Sequence, residues 1–468
     1  MSIELKFLGA ARNVTGSRYL LQCNGKKLLI DCGLYQEREY LERNWAPFPV
    51  PPDRIDAILL THAHLDHGGF IPKLVREGFH GPIVCTAATA EIAKIALLDS
   101  AHILTEDALF KKRRHDKEGR KGPYPEEPLY TETDAKDSFP LFKPVEYLKP
   151  VEIGDGIEAT YHDAGHILGS AMVTLDLKVN GTRRTILFSG DIGRYNKPIL
   201  RDPTVFEQAD YVVMESTYGD RIHEDPKDID EMLADIINST KSAGGNIVIP
   251  SFAIERAQEL LYRLNCLLLE DRIPHMMVFI DSPMAIRVTE VFKRFPELYD
   301  EEMTELVRKG NSPFRFPSLK TTETAEDSKA INYIRGTVII IAGSGMCTGG
   351  RIKHHLINNI SRPESTVLFV GYQAAGTLGR EIVEGKKHVR ILGETRPVKA
   401  KIRQIQGFSA HADRDELESW VSNLKSEPSH VFVTHGEDKP AHSFAKLLYQ
   451  KKGWKTSVPT YGEEAKLD

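Results

Sequence analysis

The sequence predicts an α/β protein in which one domain is interrupted by another. Three observations carry this. Several apolar stretches that read as strands end on residues of metal-ligand type. Near residue 208 short strands joined by hairpin turns give way to strands alternating with helices, which implies a parallel sheet. Near residue 396 the hairpin-rich style returns. Segments 1–207 and 396–468 are therefore expected to form one domain, with 208–395 inserted into it as a second.

The chain has 468 residues, enough for roughly two to four domains by length alone. Hydrophobic residues make up 41% and charged residues 27%, the balance of a globular protein with ample core. The net charge of −5 gives no global basic field, so any nucleic acid must be attracted by local patches. The five cysteines (Cys23, Cys32, Cys85, Cys266, Cys347) are scattered and form no CxxC pair, as expected of buried reduced thiols. The N-terminus lacks a charged-then-apolar signal pattern. No apolar run approaches the roughly 20 residues a membrane helix needs. A cytosolic, reducing location is expected, with no membrane partner.

Along the chain, 4–9 and 18–22 read as strands, Asn24-Gly25 as a hairpin turn and 26–30 as the return strand, ending at Asp31. Residues 55–61 form a buried strand and 70–77 an amphipathic helix ended by Gly78. A strand at 82–86 precedes a helix at 88–99. Residues 100–150 read as an excursion with one helix and a long loop. They carry Lys111-Lys112-Arg113-Arg114, either an RNA-contacting patch or a solvated helix face, the commoner meaning of a charge run. Strand 157–161 leads to His166, and strands 171–177 and 185–188 flank a second hairpin at Asn180-Gly181. The latter strand ends at Asp191. In the inserted block, strands at 211–214, 246–250, 277–280, 337–342 and 366–370 alternate with helices that include 228–242 and 255–269. Strand 430–434 ends at His435.

The densest chemistry is His62-Ala63-His64-Leu65-Asp66-His67, three imidazoles and a carboxylate on one strand-to-helix turn. Sites collect at such carboxyl ends of strands in α/β sheets. Imidazole with carboxylate suits zinc, or manganese as a neighbouring ion. His62 and His64, two apart on an extended segment, can share one ion, while Asp66 and His67 beyond the bend can reach a second. Asp31, His166, Asp191 and His435 at other strand ends suggest convergence on the same point.

The pattern resembles the metallo-β-lactamase superfamily, with its HxHxDH signature followed by a distant His, an Asp and a final His. The second block resembles the β-CASP insertion of the nucleic-acid-processing branch. Its motif A corresponds to Glu215 in Glu215-Ser216-Thr217-Tyr218-Gly219, motif B to His411 in Ser409-Ala410-His411-Ala412-Asp413, and motif C to His435. The stretches 250–259, 343–351 and 371–380 are similar to the same branch, so the resemblance covers essentially the whole chain. It implies an αββα sandwich interrupted by a β-CASP domain with a mostly parallel sheet. It implies two zinc ions (manganese being possible): His62, His64 and His166 on the first, Asp66, His67 and His435 on the second, Asp191 bridging. Asp31 would orient a ligand histidine from behind, its plainer alternative being a turn-capping Asp.

The implied activity is hydrolysis of RNA phosphodiester bonds by a metal-bridging hydroxide, leaving 5′-phosphate and 3′-hydroxyl ends. Ions roughly 3.5–4 Å apart would acidify the water between them. His411 would donate the proton to the leaving oxygen, held by Glu215, with Asp66 also at the reacting centre. The Gly-rich segment after residue 342 could cradle a phosphate with Ser344 and Arg351. Tyr372, Thr377, Arg380, Ser251 and Arg256 are further candidate RNA contacts, although Arg256 and Arg380 could equally form helix ion pairs. Cutting is expected to be endonucleolytic, with 5′ exonuclease activity and a homodimer both possible. Relatives imply a minimal, stand-alone form, without an N-terminal KH-type module or a long C-terminal region. Histidine at motif C favours RNA over DNA, again by resemblance. Two rivals remain: a small-molecule hydrolase of the same superfamily, which would not need the insertion, and an inactive RNA-binding scaffold, which would be expected to lose ligands.

Overall fold

A computed structural model describes residues 2–223 and 229–467. The chain forms two compact units, Met1–Asn196 with Asp202–Ile222 and His411–Asp468, and Lys197–Arg201 with His223–Ala410.

The first unit contains two seven-stranded sheets. One runs in the order Glu464–Leu467, Ile3–Phe7, Tyr19–Cys23, Lys26–Ile30, Ala57–Leu59, Ile83–Thr86, Phe142–Val145. The other runs Thr456–Ser457, His430–Val433, Tyr211–Met214, Thr182–Phe188, Ala171–Val179, Ile157–Asp163, Val151–Gly154. Both predicted hairpins form, with left-handed backbone at both turn residues: φ is 49° and 79° at Asn24-Gly25, and 50° and 82° at Asn180-Gly181. That is the type I′ geometry whose twist matches the flanking strands.

Alternation then sorts side chains between layers. Along Ala171–Val179, Val173, Leu175 and Leu177 enter a core shared with Leu5, Leu21 and Leu28 of the facing sheet. Met172 points the other way, to a cluster with Leu417 and Trp420 of the helix Arg414–Val421 and Phe444 and Leu448 of the helix Asp438–Lys452. The helix Ala87–Glu118 packs against the strand Ile83–Thr86 of the other sheet. The layers are helix, sheet, sheet, helix, as the resemblance implied.

The helix expected over 88–99 extends to Glu118. The Thr86 hydroxyl caps its start by accepting from the Thr89 N–H, and Gly119 at φ 62° ends it. Beyond Ala101 only Ala108 and His115 of this helix are buried, so Lys111 to Arg114 stand on an exposed face.

The second unit is built on a six-stranded, wholly parallel sheet in the order Leu319–Thr321, Val278–Asp281, Ile339–Ala342, Ile247–Pro250, Thr366–Phe369, Lys401–Gln404. Four inner strands are buried at every residue, as parallel strands covered on both faces require. A separate hairpin joins His388–Ile391 to Glu394–Pro397. The helix expected from residue 228 is Ile229–Ala243, and Asp228 itself lies outside the described residues.

The units divide at 222/223 and 410/411, whereas boundaries were expected at 207/208 and 395/396. Tyr211–Met214 pairs in parallel with Thr182–Phe188 and with His430–Val433, which keeps it in the first unit. Lys401–Gln404 pairs with Thr366–Phe369 in the second. A short buried strand looks the same in sequence whichever parallel sheet it joins. Cysteines are all free, and Cys266 alone is only half-buried. No helix among the described residues is long and apolar enough to cross a membrane.

Candidate metal centre

The predicted strand ends meet in the first unit. After Ala57–Leu59 the chain passes through His62, bends at Ala63, is extended at His64, and turns into the short helix Leu65–Gly68, which carries Asp66 and His67. This turn is stitched to the segment after Lys26–Ile30, since Cys32 N–H donates to His67 O at 2.6 Å and Leu34 N–H to Leu65 O at 2.8 Å. The approach is so close that a Cβ on Gly33 would lie 1.6 Å from Asp66 O, so only glycine fits there.

Ring nitrogens face one another across the centre. His64 Nδ1 lies 3.1 Å from His62 Nε2 and 3.2 Å from His166 Nε2. Asp191 Oδ2 lies 3.4 Å from His62 Nε2 and 3.5 Å from His166 Nε2. Donors about 2.0–2.1 Å from a shared zinc sit roughly 3.3–3.4 Å apart at tetrahedral corners. The four atoms thus have the mutual spacing of a zinc ligand set. In a second set, His67 Nε2 is 3.0 Å from His435 Nε2 and 3.3 Å from Asp191 Oδ1, and His435 Nε2 is 3.7 Å from Asp66 Oδ2.

Asp191 supplies the test of fit. Its side chain is 1% exposed, and neither carboxylate oxygen has a hydrogen-bond partner among the described residues. A buried, unpaired carboxylate is costly. One oxygen faces each donor set, so a cation at either would relieve it.

The electrostatics favour cation binding most directly at the His62, His64 and His166 set. Burial drives His62 down to about 3 and His64 to about 4. Burial, with the His411 charge next, holds His166 well below the usual imidazole value. These three are therefore neutral, the form that binds metal. Burial opposes charge on His67, but the carboxylates of Asp191 and Asp31 outweigh it and hold His67 well above the usual value. Burial likewise opposes ionisation of Asp191, and the surrounding imidazoles, His435 and His67 foremost, outweigh it and hold Asp191 low. Asp66 is held low by its imidazole neighbours His435 and His67, again against burial.

Asp31 stands behind the centre, accepting from His67 Nδ1 at 2.7 Å and from the Thr61 N–H at 2.8 Å. Glu215, 1% exposed, accepts from Ile192 N–H at 2.6 Å and His411 Nδ1 at 3.2 Å. His411 lies outside both donor sets, its side chain 21% exposed and its ring 4.5 Å from that of His166. Burial lowers His411, but Glu215 and Asp191 together outweigh it and raise it to about 9. His162 and Asp163 serve local structure, through Thr174 Oγ1 at 3.0 Å and Gly165 N–H at 3.0 Å.

The candidate RNA contacts lie in the second unit, and many of their polar atoms are engaged internally. Arg351, expected to meet a phosphate, instead donates to Asp281 Oδ1 at 2.6 Å, Thr322 O at 2.8 Å and Glu323 O at 2.6 Å. Its guanidinium is an anchor for the Gly-rich loop. Ser344 Oγ accepts from Thr348 N–H and Gly349 N–H, shaping that loop. Thr377 caps the helix Leu378–Val383, and Arg380 pairs with Glu384 at 2.7 Å. Arg256 donates to Val370 O, and Ser251 Oγ donates to Phe252 O at 3.0 Å. Tyr372 is 56% exposed.

Sequence reasoning missed Thr61 and Thr217, whose hydroxyls touch His62 Nδ1 at 3.1 Å and His435 Nδ1 at 3.2 Å. The only available signal was their position, beside His62 and within motif A, and a threonine after a strand is ordinary.

Comparison with known proteins fits this geometry. Residues 13–234 match the metallo-beta-lactamase superfamily, 257–382 the Beta-Casp domain, and 395–459 the Zn-dependent metallo-hydrolase RNA specificity domain. Ribonuclease TTHA0252 of Thermus thermophilus is 40% identical, over 97% of this chain and 98% of its own. Transcription termination factor FttA of Methanosarcina mazei is 31% identical over 99% of this chain and 72% of its own. The same factor from Methanocaldococcus jannaschii is 31% identical over 98% and 70%. A solved structure of a protein of unknown function from Enterococcus faecalis shares the fold at a TM-score of 0.56 and 11% identity, over 100% of both chains.

Proposed function

The chain belongs to the β-CASP branch of the metallo-β-lactamase superfamily, and on that premise we propose that it is a metal-dependent ribonuclease acting in RNA processing or decay. The observation that carries the reading is Asp191, whose two buried, unpaired oxygens each face a histidine set. The match to an RNA specificity domain and the ribonuclease relative supply the substrate class.

We assign two zinc ions, with manganese as the alternative: one to His62, His64 and His166, one to Asp66, His67 and His435, and Asp191 to both. When bound, such ions supply a water acidified to near neutral pH and neutralise charge on the attacked phosphoryl group. The chain's own part is proton handling and orientation. His411 Nδ1–H points to the Glu215 carboxylate, and Nε2–H is the proton proposed for the leaving 3′-oxygen. Glu215 is itself fixed by the Ile192 N–H. The products would be 5′-phosphate and 3′-hydroxyl ends, by internal cutting with 5′ exonuclease activity as an extension. Exposed Tyr372 in the second unit's loops is the favoured RNA contact there.

The test is His411→Ala, assayed on labelled RNA and DNA with blocked and free 5′ ends, alongside elemental analysis. Bound metal should stay at the wild-type level while RNA cleavage falls by about 10²–10⁴-fold, the usual weight of a general acid. Loss of metal together with activity would make His411 a ligand instead.

A further inference from the structure

The two threonines beside the centre occupy the same chemical position. Thr61 Oγ1 lies 2.9 Å from Asp31 Oδ2 and 3.1 Å from His62 Nδ1. Thr217 Oγ1 lies 3.1 Å from the His435 carbonyl oxygen and 3.2 Å from His435 Nδ1. Each hydroxyl therefore has an acceptor-only neighbour, a carboxylate or a carbonyl, and an imidazole nitrogen; Thr61 Oγ1 has a second such nitrogen, His67 Nδ1 at 3.4 Å, which is already engaged by Asp31 at 2.7 Å. A hydroxyl has a single proton to donate. If that proton goes to the acceptor-only oxygen, the imidazole nitrogen can be satisfied only by carrying a proton and donating it to Oγ1. Nδ1 is then the protonated nitrogen of both rings, and Nε2 keeps its lone pair. Both Nε2 atoms face the donor sets, at 3.1 Å from His64 Nδ1 and 3.0 Å from His67 Nε2, while His435 Nδ1 also lies 3.4 Å from Asp191 Oδ1, a second acceptor for its proton.

The surroundings enforce the arrangement. His435 has a left-handed backbone, φ 48°, unfavourable for a residue with a side chain. Its N–H donates to Ala10 O at 2.7 Å, and its carbonyl accepts from Ser216 N–H at 3.2 Å as well as from Thr217. A Cβ on Gly436 would lie 2.4 Å from Ser216 Oγ, so motif A and motif C are in direct contact. Thr61 is 1% exposed and donates to Asp31 through its N–H too.

We propose that Thr61 and Thr217 are positioning residues that fix the Nδ1–H tautomers of His62 and His435, one threonine serving each donor set. Second neighbours of this kind orient a metal-binding imidazole and hold its free lone pair on target. The two differ in reach. Thr217 touches only His435 among the proposed ligands. Thr61 also holds Asp31, and through it His67, so its influence extends to both sets.

The count of ions rests on the function proposed above, while the tautomers do not, and the test separates the two. Zinc affinity is measured on the full chain by chelator competition for Thr217→Val, Thr61→Val and the corresponding Ser variants. Histidine ¹⁵N shifts are recorded on the zinc-free proteins. Thr217→Val should weaken one zinc by about 10–100-fold and leave the other unchanged, and Thr61→Val should weaken both. The Ser variants should bind as wild type, because they keep the hydroxyl. Val variants with wild-type affinity, or Ser variants as weak as Val, overturn the inference. So does an Nε2–H form of His62 or His435 in the zinc-free wild type. A wild-type chain that binds fewer than two zincs instead removes the two-ion reading, and the ¹⁵N shifts still decide the tautomers.

Discussion

Asp191 in the first unit and Asp281 in the second are both buried carboxylates at the end of a strand, both beside histidine. Asp281 accepts from His355 Nε2 at 2.5 Å, Arg351 Nη1 at 2.6 Å, Thr322 Oγ1 at 2.5 Å and Ser328 Oγ. Asp191 has no hydrogen-bond partner among the described residues, although five imidazoles lie within 4 Å of it. The difference separates a structural cluster from a binding one. Where donors and acceptors match, the protein is complete in itself. Where buried acceptors are left without matched donors, a cation from outside would complete the site. Composition does not distinguish the two, but proton accounting does.

The comparison can be broken most severely at Asp191. Asp191→Asn should lose the shared cation site and lower cleavage at least about a thousandfold, a few kcal/mol of charge stabilisation. Two ions per chain in that variant, by elemental analysis, would contradict a bridging role. Asp281→Asn should do the reverse. Metal content stays at wild type, while unfolding in denaturant shows the second unit destabilised by about 3–5 kcal/mol, the usual cost of breaking a buried ion pair.

A pH series sharpens the same contrast. Burial pushes Asp281 up, but hydrogen bonds from His355, Ser328, Thr322 and Arg351 outweigh burial and hold it well below the ordinary value of 3.8. A carboxylate lowered by folding contributes stability that is present above its unfolded value and is lost as pH falls towards its folded value. The second unit should therefore weaken below about pH 4, and Asp281→Asn should flatten that part of the curve. At the small end, Arg380→Ala removes an exposed i, i+4 pair with Glu384. Thermal melting should register about 0.3–0.5 kcal/mol. A much larger loss would mean that the side chain has a further structural partner.

The centre was legible because its signals are local. Each donor closes an apolar strand, and His62 to His67 concentrates four of them in one turn. The Asn-Gly hairpins were legible for the same reason, since two residues dictate the turn. Other features depend on distant partners. Arg351 looked like a phosphate contact because Asp281, its true partner, is far away in sequence. The helix beyond Ala101 lacks an apolar stripe, with only Ala108 and His115 packed, so the one helix expected in the 100–150 excursion could not be read as a continuation of the helix at 88–99. Tyr211–Met214 signalled a parallel strand correctly but not which sheet would receive it. Thr61 and Thr217 gain meaning only once an acceptor-only oxygen and an imidazole nitrogen are seen around one hydroxyl.

The order in which the donors occur along the chain has a consequence for biosynthesis. His62 and Asp191 precede the entire second unit, whereas His411 and His435 follow it. During translation the nascent polypeptide holds most of the donors long before it holds the last of them. The last proposed ligand, His435, and the proposed acid, His411, therefore emerge only after the whole inserted unit has been synthesised.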